Sequence, residues 1–307
     1  MVTKMGHTAE FLVFGATGQQ GGAVARALKA KGREVKAFVR DPDSARSKAL
    51  SAAGISLAVG DLFDPASIDR AMAGVKGVFS VQTSSPSGEV TDAQEVLQGK
   101  GIADSAVRQG GRHLVYSSSG ASGKGLTGMG HFDSKSEIEA YVQSLPMMTT
   151  ITRPVSFMEM LLLPGMGLPQ GEFTFLMRPK QSMQMIALAD LGRMNAQILM
   201  SPERYAGKAI ELASANVTGR DLETAFTHAV GRPIAYKRFP DELLANNPFL
   251  KRLTELLDSG LLAGAADIPL LEQEFDHLTS LGAWLDGPGK PLFEAALNHV
   301  ETEVALR

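Results

Sequence analysis

The sequence predicts an α/β protein built on a doubly wound parallel sheet with a smaller C-terminal α/β lobe. A glycine-rich turn, Gly15-Ala16-Thr17-Gly18-Gln19-Gln20-Gly21, lies between the apolar run Phe11-Leu12-Val13-Phe14 and an alanine-rich helical stretch. Strand-like and helix-like segments alternate through the first half with short joins, the pattern of a parallel sheet covered on both faces. After Pro154 the character changes to Met-rich apolar loops, then short strands and helices broken by glycine and proline.

Taken in order, strands are expected at 11–14, 34–39, 55–59, 76–81, 112–117 and 147–152, and helices at 19–31, 43–53, 65–72, 92–109 and 132–144. Asp43 and Asp92 stand where an N-cap or first-turn acid belongs, and Gly32, Gly54 and Gly110-Gly111 stand where helices should stop. Right-handed crossovers wind these units into a Rossmann sheet with its ligand at the carboxyl ends of the strands. Residues 1–154 are read as that domain and 155–307 as the smaller substrate-side lobe. The lobe is expected to interleave with the sheet, because Ile186-Ala187-Leu188-Ala189-Asp190-Leu191-Gly192 reads as a return to the core. Met1 to Glu10 is short and polar and reads as an extension outside the fold.

An apolar content of 44% permits a sizeable core, and no long apolar run or secretory leader is evident, so a soluble cytoplasmic protein is expected. A net charge of −3 with mixed signs provides no electrostatic footprint for direct nucleic-acid or membrane binding. The absence of cysteine excludes disulfides and thiolate chemistry, so any redox work belongs to a bound cofactor. His7, His113, His131, His228, His277 and His299 are scattered without metal-ligand spacing, and no metal site is expected.

The turn at Gly15, Thr17, Gly18, Gln19, Gln20 and Gly21 reads as a dinucleotide cradle. Glycine allows the sharp bend, the close approach to a pyrophosphate and tight helix packing, while the helix N-terminus faces the phosphates. The second strand ends in Arg40, where an acid would suit the ribose hydroxyls of NAD and a guanidinium suits a 2′-phosphate. That favours NADP(H) over NAD(H), although a solvated strand-end arginine is the bland alternative and Asp41 complicates the choice. Asp61 and Leu62 after the third strand would meet the adenine rim, unless Asp61 merely starts a helix. Gln82 and Thr83 after the fourth strand would line the cleft beside the ribose and pyrophosphate. The fifth strand delivers Tyr116-Ser117-Ser118-Ser119-Gly120 to the same edge, and His131-Phe132-Asp133-Ser134-Lys135 then opens a helix.

These features together resemble the NmrA-like branch of the atypical short-chain dehydrogenase/reductases. The motifs are GATGQQGG at 15–22, Arg40, Gly60-Asp61, the serine-rich fifth strand, HFDSK at 131–135, Arg153-Pro154 and Asp190-Leu191-Gly192. The resemblance implies a Rossmann domain with a small C-terminal lobe and NADP(H) as ligand. Ordinary members of the superfamily carry a tyrosine four residues before the lysine and a serine on the preceding strand. Here His131 stands at the tyrosine position, while Ser118 or Ser119 and Lys135 remain. Three roles stay open for Lys135: an anchor for the nicotinamide ribose, the acid or base itself, or a nucleotide ligand in a protein that catalyses nothing. A surface lysine paired with Glu139 is the structural alternative, and an exposed loop-end position is the alternative for His131.

On the substrate side, Ser156 to Leu168 is the most apolar loop-like stretch. Phe157, Met158 and Met160 are candidate pocket residues, with core filler or a dimer surface as the alternative. The family often carries a Glu-Asn pair there, whereas Glu159 is followed by Met160. Phe173, Phe175 and Met177 at period 2 read as one buried strand face. The loop Gly120 to Gly130 reads as a mobile flap over the nicotinamide. The expected function is an NADPH-dependent reductase of a small carbonyl, quinone or similar conjugated acceptor. The alternative is a non-catalytic NADP(H) sensor that regulates a protein partner. Dimers are common in the family, and no segment specifies one.

Overall fold

The computed structural model describes residues 9–298. His7, His299 and most of the expected extension lie outside the described residues. Glu10, assigned to that extension, instead belongs to the fold: its N–H donates to the Glu34 carbonyl and its carboxylate pairs with Lys76 at 3.2 Å.

The strands of the main sheet are β1 (Phe11–Val13), β2 (Val35–Val39), β3 (Ser56–Val59), β4 (Gly77–Ser80), β5 (His113–Ser117) and β6 (Met148–Pro154). Between them run α1 (Gln19–Ala30), α2 (Ala45–Ala52), α3 (Pro65–Met72), α4 (Asp92–Arg108) and α5 (Gly130–Gln143). Later come β7 (Ser156–Phe157), β8 (Glu172–Phe175), β9 (Ser182–Ile186), α6 (Leu188–Met200), β10 (Ala209–Leu212), β11 (Ala215–Thr218) and β12 (Ala235–Arg238). The seven-stranded parallel sheet has the order β10-β6-β5-β4-β1-β2-β3. The order of strand addition reverses between β1 and β4, the position where doubly wound sheets open a ligand crevice.

Side-chain alternation sorts the two faces. Leu12, Phe14, Phe38, Val78, Leu114 and Tyr116 pack with Ile68 of α3, Ile102 and Ala106 of α4 and Ile138 of α5 in one buried cluster. On α1, Ala23 meets Gly192 of α6 so closely that a Cβ on the glycine would sit 2.6 Å from the Ala23 carbonyl oxygen. The helices stop as the glycines predict, with Gly32 and Gly54 left-handed at φ 72° and 75°. The start of α2 differs from expectation. Ser44 caps it by accepting the Ser47 N–H, while Asp43 donates its N–H to the Asp41 carboxylate and pairs with Lys48 at 3.3 Å. A hydroxyl next to the first helical residue reaches the third N–H more directly than an acid one residue earlier. Thr91 caps α4 in a capping box with Gln94, leaving Asp92 as a first-turn acid.

The chain divides into two compact units, residues 1–153 with 191–210, and residues 154–190 with 211–307. The second unit carries the sheet β11-β9-β7 and the pair β12-β8. Phe173 and Phe175 are buried on one face of β8, and the Phe173 ring meets Phe226 edge-on at 4.7 Å. Among the described residues no helix is long and apolar enough to cross a membrane.

Candidate nucleotide and active site

Gly15 turns the chain out of β1 at φ +64°, and a Cβ there would lie 2.6 Å from Val81 Cγ1 and 2.8 Å from the Val81 carbonyl oxygen. At Gly21 a Cβ would enter the Gly15 carbonyl group and reach 2.7 Å from the Phe14 carbonyl oxygen. Only glycine lets α1 close on the turn at this distance. Gly18 is the N-cap of α1 and provides no side-chain cap, and the first turn holds no acid. The helix therefore offers backbone N–H groups and the positive end of its dipole, which suits a pyrophosphate. Thr17 is half-exposed, Gln19 exposed and Gln20 half-buried. The Ser117 hydroxyl donates to Gln20 Oε1 at 2.7 Å, tying the cradle to β5.

Arg40, directly after β2, is exposed, and its Nη2 lies 3.0 Å from Glu89 Oε2. Asp41 is turned back on its own loop, where its carboxylate accepts the Asp43 N–H at 2.9 Å. Asp61 does not start α3. Asp64 is the cap, accepting the Ala66 N–H at 3.0 Å, while exposed Asp61 accepts from Phe63 N–H at 2.9 Å. Leu62 is half-buried against the core cluster. Gln82 is buried and donates to Ser80 Oγ at 2.7 Å, leaving its Oε1 without a protein partner; Thr83 is exposed. At the adjoining strand end the Ser118 N–H donates to the Thr152 carbonyl at 2.8 Å, and its buried Oγ has no protein partner. Buried polar atoms are ordinarily satisfied, so two unpartnered oxygens beside the cradle fit a polar ligand there. Ser119 is half-buried and shares a 3.2 Å contact with Ser122 Oγ.

Lys135 lies one turn into α5. Its ammonium pairs with Glu95 of α4, whose other oxygen accepts the Ser134 hydroxyl at 2.9 Å. Glu95 is fully buried and the Lys135 side chain only 10% exposed, so both charges have left solvent. The surface pair with Glu139 does not form, because Glu139 is buried and takes Arg153 Nη2 at 2.6 Å. His131 is half-buried, not an exposed loop end; burial and the nearby Lys135 push its pKa down to about 4, and the imidazole is neutral near pH 7. Tyr116 does not replace the missing tyrosine as a base. Burial, then Glu95 and Glu139, hold its phenol far above the usual range, and it stays protonated.

The loop 120–130 is fastened. Asp133 accepts from Thr127 N–H at 2.8 Å and Gly128 N–H at 3.1 Å, Ser122 donates to the Phe132 carbonyl at 3.0 Å, and Gly123 N–H donates to Ser136 Oγ at 3.0 Å. In the second unit Phe157 and Met160 are half-buried and Met158 is fully buried. Glu159 accepts from Leu188 N–H at 3.2 Å and Trp284 Nε1 at 3.2 Å, capping the start of α6, and burial raises its pKa.

Sequence reasoning missed Glu95 and Glu89. Glu95 was visible in the helical period, since it shares the core-facing stripe of α4 with Gln98, Ile102 and Ala106. A charge on such a stripe requires a partner. Nothing local marks Glu89, which meets Arg40 from 49 positions away.

The fold and cradle define a Rossmann-type α/β protein with a glycine turn at the start of α1. The model of the NmrA-like family matches residues 7–274, and the chain belongs to that family. It is 31% identical over 255 residues to the NmrA-like family domain-containing oxidoreductase FrzB of a Cladobotryum species, covering 73% of this chain and 74% of the relative. It is 28% identical over 227 residues to the NAD(P)H azoreductase of Xenophilus azovorans, covering 73% and 75%. Its fold matches that of NmrA, a negative transcriptional regulator solved with NADP, at a TM-score of 0.76 and 20% identity, covering 94% of this chain and 97% of that one. Among the described residues no group of three His, Cys, Asp or Glu is placed to hold a metal.

Proposed function

We propose that the chain is an NADP(H)-dependent reductase of a small carbonyl, quinone or related conjugated acceptor. The buried Lys135–Glu95 pair, at the sheet edge that also carries the cradle, is the observation that carries this reading. Burying such a pair offers little stability, which favours a working role for the Lys135 ammonium at this edge. Gly15, Thr17, Gly18, Gln19, Gln20 and Gly21 would hold the pyrophosphate, Arg40 the 2′-phosphate, Asp61 and Leu62 the adenine rim, and Gln82 and Thr83 the ribose. When bound, the nicotinamide supplies a hydride.

The chain's own contribution is positioning and charge. Glu95 gives the Lys135 ammonium a fixed counter-charge, which suits an oriented donor to ribose hydroxyls better than a mobile proton carrier. The Ser118 hydroxyl has no competing protein partner and can polarise an acceptor oxygen, with Ser119 beside it. Neutral His131 can donate a hydrogen bond to developing negative charge but carries no spare proton near pH 7. An acceptor that takes its final proton from water fits this set. Resemblance to an NAD(P)H azoreductase supports a conjugated acceptor of this kind.

The second reading, an NADP(H) sensor acting on a protein partner, is favoured by His131 at the tyrosine position. The test is NADPH oxidation across quinones, aldehydes, ketones and imines, with Lys135→Ala alongside. Turnover that falls at least about 100-fold in the variant supports the reductase; silence across the panel, with tight NADPH binding measured separately, favours the sensor.

A further inference from the structure

We propose that Glu89 is a determinant of nucleotide choice, acting as a built-in rival for the 2′-phosphate at Arg40. The proposal rests on the reading that Arg40 is the 2′-phosphate ligand. Arg40 presents a largely exposed guanidinium at the carboxyl end of β2, and Glu89 Oε2 accepts from its Nη2 at 3.0 Å. Sequence adjacency points to Asp41 as the interfering acid, yet Asp41 is spent on the Asp43 N–H. The acid that reaches the guanidinium comes from the connector between β4 and α4.

That connector is built to hold Glu89 there. Ser85–Ser87 form a single 3-10 turn, Gly88 reverses the chain at φ 75°, and the Glu89 N–H donates to Ser87 Oγ at 3.1 Å. A phosphate dianion reaching for the Arg40 fork must displace the carboxylate or share the guanidinium with it, at a separation where like charges repel. A ribose carrying a free 2′-hydroxyl meets no such conflict, and Glu89 can accept from it. Arg40 thus draws NADPH while Glu89 narrows its margin over NADH. Both side chains are exposed, so the effect is moderate and fades with salt.

The test is titration of NADPH and NADH into the full chain, wild type, Glu89→Gln and Arg40→Ala, at low and high salt. Glu89→Gln is expected to tighten NADPH by roughly three- to tenfold at low salt and to change NADH by less than about twofold. An unchanged NADPH-to-NADH ratio in Glu89→Gln, with the ratio falling in Arg40→Ala, overturns the role of Glu89 and leaves Arg40 standing. A ratio unmoved by Arg40→Ala overturns both. Turnover plays no part in these readouts, so they hold for a reductase or a sensor.

Discussion

Replacing Glu95 by alanine strands the Lys135 ammonium in a site where its side chain is 10% exposed and its partner was fully buried. The variant also removes the acceptor of the Ser134 hydroxyl. Breaking one side of a buried pair typically costs about 3–5 kcal/mol, because the remaining charge can neither hydrate nor pair. At about 2.1 cal/mol/K of unfolding entropy per residue, 307 residues convert that into a melting point lower by roughly 5–8 °C. Thermal unfolding followed by circular dichroism measures it. The double variant Glu95→Leu with Lys135→Met removes both charges and keeps apolar volume, so it is expected to melt above Glu95→Ala and to fall short of wild type by about 1–3 kcal/mol, the cost of the unpaired Ser134 hydroxyl. A Glu95→Ala melting point indistinguishable from wild type would refute the reasoning, since the ammonium must then reach water. Lys135→Ala leaves Glu95 stranded in the same way, so its lost turnover counts as chemistry only at temperatures where the variant is shown to be folded.

Gly21→Ala drives a methyl into the Gly15 carbonyl, and no flexible side chain can give way; a loss of about 1–3 kcal/mol and at least tenfold weaker NADPH binding are expected by melting and titration. Gly18→Ala is the control for packing, because its Cβ would meet only the Gly15 oxygen at 3.2 Å, and its melting point should fall far less. Acid should destabilise the protein through His113, which burial holds at a pKa of about 4 against an ordinary 6.5. The unfolded chain takes that proton first, so stability present above pH 6.5 is lost as pH falls toward 4, by up to ~3 kcal/mol. His131 adds a second loss of the same sign. His113→Gln should flatten the melting curve between those pH values, and an unchanged slope would rule out His113 as a source.

The sheet strands and their helices were legible because each rests on a short-range signal: an apolar run, a helical period, a glycine stop. The strand ends Gln82 and Ser118 followed from that register, since residues after a parallel strand's carboxyl end face the crevice. Pairings were not legible. Lys135 has Glu139 one turn away and chooses Glu95 at a separation of 40 positions, and Glu139 in turn takes Arg153 of β6. Local spacing favours the i, i+4 pair by a few tenths of a kcal/mol, which tertiary burial overrides. The same limit hid Ser44, where one residue of offset decided which side chain reached the helix N–H groups. It also hid Glu10, whose polar character suggested an extension although its backbone pairs with Glu34 at the edge of β1.

The loop 120–130 bears on the choice between reductase and sensor. Five glycines make it read as a flap that a nucleotide would order, but Asp133 and Ser136 accept from its backbone and its own Ser122 donates to the Phe132 carbonyl. Only its tip, around Leu126 at 88% exposure, stands clear. Held in this way, the loop has less entropy left for a bound nucleotide to remove. The contact that a 2′-phosphate at Arg40 would displace or share is Arg40–Glu89, and the connector that carries Glu89 leads into the Thr91 cap of α4, the helix that holds Glu95 against Lys135. That contact is the same for a sensor and for a reductase.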